Sequence, residues 1–203
     1  MKLSIIVPFF NEENMIQKMY DALVAEVNKF TKAEFEIIFI NDGSKDRTFE
    51  KMRAIADGDS RVKYISFSRN FGKEAGTIAG LEYATGEAVI LMDGDLQHPP
   101  ALLPQMIEAY EEGYDVVSAR RTRTGEKPHR TFLAKHFYRL ANKMMDIELM
   151  DGVSEFRLFS RKAVRAILSL QEYNRFSKGI FSWIGFKEKV IEYENQVRTV
   201  GET

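Results

Sequence analysis

Up to residue 119 the chain alternates short apolar, β-prone runs with longer stretches of helical period, and this alternation restricts its fold more than any other feature. Strands are predicted at Leu3 to Val7, Phe35 to Ile40, Val62 to Phe67, Glu87 to Met92 and Asp115 to Ala119. Helices are predicted near Glu12 to Phe30, Lys45 to Asp57, Lys73 to Ala84 and Ala101 to Glu112. Strands that take turns with helices build a mostly parallel central sheet with helices on both faces, so the fold class is α/β. In such a sheet the carboxyl ends of the strands open on one crevice, where ligands bind. The predicted strand ends carry chemically pointed residues: Pro8-Phe9-Phe10-Asn11-Glu12, Asn41-Asp42-Gly43-Ser44, Ser68-Arg69-Asn70-Phe71-Gly72 and Asp93-Gly94-Asp95.

Asp93 and Asp95 are two carboxylates one residue apart, delivered by the buried-strand run Ala88 to Met92. Hard oxygen ligands of this kind suit Mg²⁺ or Mn²⁺, which usually sit between one or two carboxylates and substrate phosphates. Asp42 at its strand end can accept hydrogen bonds from a ribose or from the imide N–H of a uracil, while Ser44 is expected to cap the next helix. Gly72 and Lys73 bring a glycine, a cation and a helix start together, a favourable seat for phosphate. Neither G-x-G-x-x-G nor G-x-x-x-x-G-K-[ST] is present, so this is no dinucleotide fingerprint and no P-loop. His98, His129 and His136 lack a metal-ligand spacing; His98 is at most a support for the acid pair.

Lys and Arg number 29 against 30 Asp and Glu, a net charge of −1, so nothing global argues for nucleic acid as a partner. Cysteine is absent, which excludes disulfides, thiolate metal sites and cysteine nucleophiles. The apolar start is interrupted at Pro8, too early for a signal peptide, and no run has the length of a transmembrane helix, so the chain as given is expected to be soluble.

Beyond the loop from Arg120 to Pro128 the pattern changes. His129 to Leu149 reads as a basic amphipathic helix, suited to packing on the domain or to lying on an anionic membrane surface. A strand at Glu155 to Ser160, a short helix at Lys162 to Leu170, an aromatic segment at Phe176 to Phe186 and a last strand at Lys187 to Glu194 follow. Trp183 in that segment could face lipid, a partner subunit or the core. The expected division is a nucleotide-binding core at 1–128 and an acceptor- and membrane-proximal part of the same domain at 129–203. The ending from Val197 to Thr203 looks cut.

The motifs at Ser4 to Glu12, Asn41 to Ser44 and Asp93 to Asp95, in that order, resemble glycosyltransferase family 2, the inverting enzymes of the Rossmann-like GT-A fold. Arg69 to Lys73, Asp95 to Pro100, Arg121 to Glu126, Phe137 to Leu140, Glu155 to Leu158 and Trp183 to Phe186 bring the resemblance closer to the polyprenyl-phosphate glycosyltransferases. That resemblance implies transfer of a hexose from a nucleotide sugar, of the UDP-glucose or GDP-mannose type, to a polyprenyl phosphate at the cytoplasmic face of a membrane. It also implies a soluble catalytic fragment of an enzyme that continues into transmembrane helices. Oligomeric state stays open, a homo-oligomer included.

By the same resemblance Pro8, Asn11, Glu12 and Asp42 hold the nucleoside, Asp93 and Gly94 contact ribose or sugar, and Asp95 ligates the metal with Gln97 nearby. Glu155 stands where related enzymes usually carry aspartate in D-F-R-L, as a base or acceptor-orienting group. Arg157, two residues on and on the same strand face, can pair with Glu155 or with a phosphate. Arg121, Arg123 and Arg130 are candidates for gripping pyrophosphate or acceptor phosphate, since arginine forks match phosphate oxygens. The catalytic set is thus Asp95, Glu155 and Arg157. Two other readings remain: a family 2 transferase with a saccharide hydroxyl acceptor, needing Glu155 or Asp151 as base, and a non-catalytic nucleotide-sugar-binding module.

Overall fold

The computed structural model describes residues 1–122, 153–170 and 177–194. The expected helix at His129 to Leu149, Arg123, Arg130 and Asp151 lie outside the described residues. Among the described residues seven strands form one sheet: β1 Lys2–Phe9, β2 Glu34–Asn41, β3 Val62–Ser66, β4 Ala88–Leu91, β5 Val116–Arg121, β6 Val153–Ser160 and β7 Glu188–Tyr193, in the order β3-β2-β1-β4-β6-β5-β7. The first four are parallel, with Ile5 opposite Ile37 and Ile90. β6 runs antiparallel to both β4 and β5, and β7 is parallel to β5. The strand expected after residue 150 is therefore not peripheral: it lies inside the sheet, beside the acid-bearing β4.

Alternate residues of each strand face opposite sides, and in β1, β2 and β4 both sides are buried, as central strands require. Leu3, Ile5, Val7, Ile37, Phe39, Ile90 and Phe156 pack under α1 (Ile16–Val27), α2 (Thr48–Gly58) and α4 (Leu103–Glu111). Ile6, Ile38, Ile40, Val89, Leu91 and Phe159 pack under α3 (Lys73–Tyr83), α5 (Arg161–Ser169) and α6 (Ser177–Trp183). Burial of this extent, at about 25 cal/mol per Å² of apolar surface, is the main favourable term in folding.

The first two helices start later than their periodicity predicts, for one physical reason. Asn11 takes φ +52°, and the residues around it spend their hydrogen bonds across two loops rather than along a helix. Glu12 N–H donates to Thr48 Oγ1 (2.9 Å), Glu13 N–H to Asp46 Oδ2 (3.1 Å) and Lys45 N–H to Asn11 Oδ1 (2.8 Å). Contrary to the expectation from the sequence, Ser44 does not cap α2. Its hydroxyl accepts the Asn11 N–H at 3.0 Å, and α2 starts at Thr48.

At the opposite edge of the sheet Glu36 is 3% exposed and fully partnered. It accepts from Ser4 Oγ (2.6 Å), Thr85 N–H (2.6 Å), Thr85 Oγ1 (2.8 Å) and Lys63 Nζ (2.7 Å). Burial works against its charge, but the bonds from Lys63, Ser4 and Thr85 outweigh it and lower the pKa from 4.5 to about 2. A carboxyl whose folded pKa is depressed adds stability above its unfolded value and loses it as pH falls towards the folded one. The shift corresponds to about 3 kcal/mol at neutral pH. Denaturant unfolding between pH 7 and pH 2.5 is expected to show a loss of stability below pH 4.5 that is shallower in Glu36→Gln by up to about 3 kcal/mol, the share of this one carboxyl. An equally steep profile in that variant would remove Glu36 as the cause.

Candidate functional site

At the carboxyl edge of the sheet the ends of β1, β2 and β4 and the entry to α3 enclose a cleft of about 380 Å³. Pro8, Phe9, Phe10 and Glu12 line it from β1, and Asp42 from β2. Asn70, Gly72 and Lys73 line it from α3, and Asp93, Gly94 and Asp95 from β4. The cleft is where a topological switch puts it, since the chain leaves β1 for neighbours on either side.

Asp42 is 4% exposed, and its two oxygens accept the Phe71 N–H at 2.7 Å and the Gly72 N–H at 2.9 Å. It thereby fastens the loop before α3 to the end of β2 and turns the remaining acceptor capacity of the carboxylate to the cleft. Asn11 reaches the turn at 44–45 and braces the β1 and β2 loops against each other. Gly94 packs flat against Phe9, where a Cβ would come within 2.2 Å of the ring, so the acid pair can approach β1 only across a glycine.

The two acids stand in different surroundings. Asp93 Oδ1 is 2.5 Å from Lys73 Nζ and Asp93 Oδ2 is 3.5 Å from His98 Nε2. Burial opposes the Asp93 charge, yet His98 and Lys73 more than compensate and lower its pKa to about 2. Lys73 also meets Glu155 Oε2 at 3.0 Å. Burial disfavours the ammonium, and the two carboxylates outweigh it, so the Lys73 pKa is raised. Register explains the triad: β4 and β6 pair Leu91 with Arg157, and two residues further the same antiparallel register sets Asp93 beside Glu155. Asp95 instead accepts the Gln97 N–H at 3.0 Å and faces the cleft.

Among the described residues no group of three His, Asp or Glu side chains forms a complete metal cage. A cleft that offers an open carboxylate beside an ion-paired one fits a hard cation that takes its remaining ligands from substrate phosphates and water. The lining fits this electrostatically: among the described residues Glu12, Asp42, Asp93 and Asp95 stand with Lys73 as the one lining cation, an excess of negative charge that a divalent ion would offset.

The other sequence candidates are dispersed. Arg157 is 3% exposed and turns under α6, with Cζ 5.1 Å from the Phe181 ring centre, Nε on the Ser154 carbonyl at 3.3 Å and Glu188 Oε1 3.9 Å away. Burial lowers its pKa against the opposing pull of Glu188 and Glu155. Arg121 ends β5, paired with Tyr193 of β7. Phe10 and Asn70 line the cleft although only their neighbours had been singled out; both stand in the strand-end motifs that pointed to it. Tyr193 had no signal at all. Its hydroxyl is 2.5 Å from His98 Nδ1 across 95 positions of sequence.

Comparison with known proteins bears on the family. The chain is 51% identical over 199 residues to the putative glycosyltransferase CsbB of Bacillus subtilis, covering 98% of this chain and 60% of that protein. It is 44% identical over 202 residues to the bactoprenol glucosyl transferase of Shigella phage SfX, covering 99% and 66%. It thus spans less than two thirds of the length of either relative. Among solved structures, the mannosyltransferase PcManGT of Pyrobaculum calidifontis, in complex with GDP-Man and Mn²⁺, superposes with a TM-score of 0.65 at 18% identity, covering 94% of this chain and 54% of that one. The glucosyl-3-phosphoglycerate synthase of Mycobacterium tuberculosis, with Mn²⁺ and uridine-diphosphate, gives 0.60 at 19%, covering 99% and 73%. These neighbours share the GT-A fold, with its mixed central sheet. The profile described as "Glycosyl transferase family 2" spans residues 4–168, from β1 through the acid pair to α5, and this chain belongs to that family.

Proposed function

We propose that the protein transfers glucose from UDP-glucose to a polyprenyl phosphate, with inversion at the anomeric carbon, at the cytoplasmic face of a membrane. The observation that carries this reading is the division of labour between the acids: Asp95 open to the cleft, Asp93 and Glu155 held together through Lys73. The relative named for bactoprenol and glucose supports the choice of sugar and acceptor. In this reading Pro8, Glu12 and Asp42 hold the nucleoside, with Asn11 bracing their loops, and Asp93 and Gly94 meet the ribose or the sugar. Gly72 and Lys73 border the diphosphate, and Arg121, Arg123 and Arg130 serve phosphate. Asp95, with Gln97 nearby, holds Mg²⁺ or Mn²⁺, which when bound stabilises the charge that develops on the departing diphosphate.

The acceptor needs no base. A phosphate monoester is mostly dianionic at neutral pH, its second pKa being about 6. One of its oxygens forms a bond to the anomeric carbon while the bond to the nucleotide breaks, and the electron pair leaves on the β-phosphate. Glu155, tied to Lys73, then orients the acceptor rather than taking a proton, and Arg157 sets the strand that carries it. Residues 1–128 supply the donor half of the site and 129–203 the acceptor half. No helix among the described residues is long and apolar enough to cross a membrane, so on this reading the chain meets the lipid phosphate at the surface.

Nucleotide release tests this, with UDP-glucose or GDP-mannose, Mg²⁺ or Mn²⁺, and undecaprenyl phosphate present or absent. UDP release that requires the lipid phosphate is the expected result. Release driven by a saccharide would move the acceptor to a hydroxyl and make Glu155 a base, preference for GDP-mannose would overturn the donor, and binding without turnover would leave a non-catalytic module.

A further inference from the structure

We infer that Tyr193 is a positioning residue of the donor site, acting through His98 to hold the Asp93 carboxylate. The inference rests on the reading of the cleft as a nucleotide-sugar site.

Asp93 is gripped from both faces of the sheet. Lys73 comes from α3 on one face and draws Oδ1 towards Glu155. On the other face the only counterweight among the described contacts is His98, 3.5 Å from Oδ2. His98 sits two residues after Leu96, whose φ is +59°, in the loop that follows β4 rather than on a helix or strand. Two rings fix it. The Phe156 centre lies 6.1 Å away, tilted, and Tyr193 stands edge-on at 5.8 Å. The Tyr193 hydroxyl, 2.5 Å from Nδ1, holds the ring by the nitrogen that does not face Asp93.

Tyr193 is suited to this. It is 6% exposed, its strand pairs with Arg121 of β5, and its carbonyl accepts the Thr122 N–H at 2.9 Å. In this proposal the hydroxyl donates to Nδ1, which leaves the imidazole hydrogen on Nε2, directed at Asp93. A carboxylate that meets ribose or sugar is useful only in the rotamer that faces the cleft. Released by His98, it would relax towards Lys73 and Glu155.

Steady-state kinetics and ring ¹⁵N spectra on the 203-residue chain test this together. Tyr193→Phe keeps the ring and deletes the anchor; the expected result is a rise of about 3- to 10-fold in KM for UDP-glucose with kcat little changed, the size of one hydrogen bond. His98→Gln places an amide donor at the Nε2 position and is expected to retain KM better than His98→Asn, whose amide stands at the Nδ1 position and reaches Tyr193 alone. In the spectra His98 is expected as the Nε2–H tautomer, becoming a mixture in Tyr193→Phe. Equal KM losses in His98→Gln and His98→Asn, or a Tyr193→Phe variant unchanged in KM, overturn the inference. Absence of UDP-glucose turnover in the wild type counts against the donor reading alone; the tautomer then decides, and its indifference to Tyr193→Phe overturns the Tyr193–His98 link.

Discussion

Asp95→Asn is expected to reduce metal-dependent turnover by about a thousandfold, near 4 kcal/mol of transition-state stabilisation, while leaving the fold as it is. The two effects separate because the side chain has two jobs of unequal chemistry. Its structural task is to accept the Gln97 N–H at 3.0 Å, and the asparagine Oδ1 does the same. Its proposed catalytic task needs a full negative charge for a divalent ion, and an amide carries none. Thermal unfolding is therefore expected to shift by no more than about 2 °C, the range of a substitution that keeps its local bonds. Asp93→Asn makes the contrast. It removes the counter-charge of Lys73 and the partner of His98, so both stability and donor affinity are expected to fall. Full activity in Asp95→Asn at limiting Mn²⁺ would refute the metal assignment.

Gly43→Ala is expected to cost about 3 kcal/mol of stability, a fall of about 6 to 12 °C in Tm for a chain of this size. Two causes add. Gly43 has φ +65°, where a Cβ is unfavourable, and that Cβ would stand 2.2 Å from the Arg69 carbonyl carbon and 2.5 Å from the Asn70 nitrogen. The obstacle is backbone, and it cannot retreat cheaply. The same loop is tied down by Asp42 through the Phe71 and Gly72 amides, and Asn41 Nδ2 bonds Ser66 Oγ at 2.8 Å. Pushing it away costs the Asp42 bonds, so nucleotide affinity is expected to weaken along with stability. Gly72→Ala isolates the conformational part: its φ is +93°, but a Cβ there meets nothing within 4 Å. Its cost is expected at about 1 to 2 kcal/mol, below that of Gly43→Ala. Equal melting temperatures for the two variants, measured by calorimetry, would discard the steric half of the argument.

The strand–helix alternation, read with Asp42 and the Asp93-Gly94-Asp95 step at strand ends, was enough to anticipate the sheet and the cleft. Those signals are local: a β-prone run buries both faces and ends where glycine and polar residues release it. The late starts of α1 and α2 were not legible, because Asn11, Asp46 and Thr48 satisfy backbone donors across loops more than 30 positions apart. Helical periodicity is blind to such acceptors.

What the sequence determined by itself is the kind of chemistry available: hard oxygen ligands at strand ends, no thiols, and arginines and one lysine near a glycine to meet phosphate. The family resemblance separated the roles of the two acids, but which of them is ion-paired among the described residues was decided by tertiary structure. Asp93 and Asp95 are indistinguishable as types, and an antiparallel β6 placed Glu155 and, through Lys73, a charge triad against one of them. The same folding carried Tyr193 across the sheet to His98. Charge interactions depend on distance through space and on burial, and neither is a property of spacing along the chain.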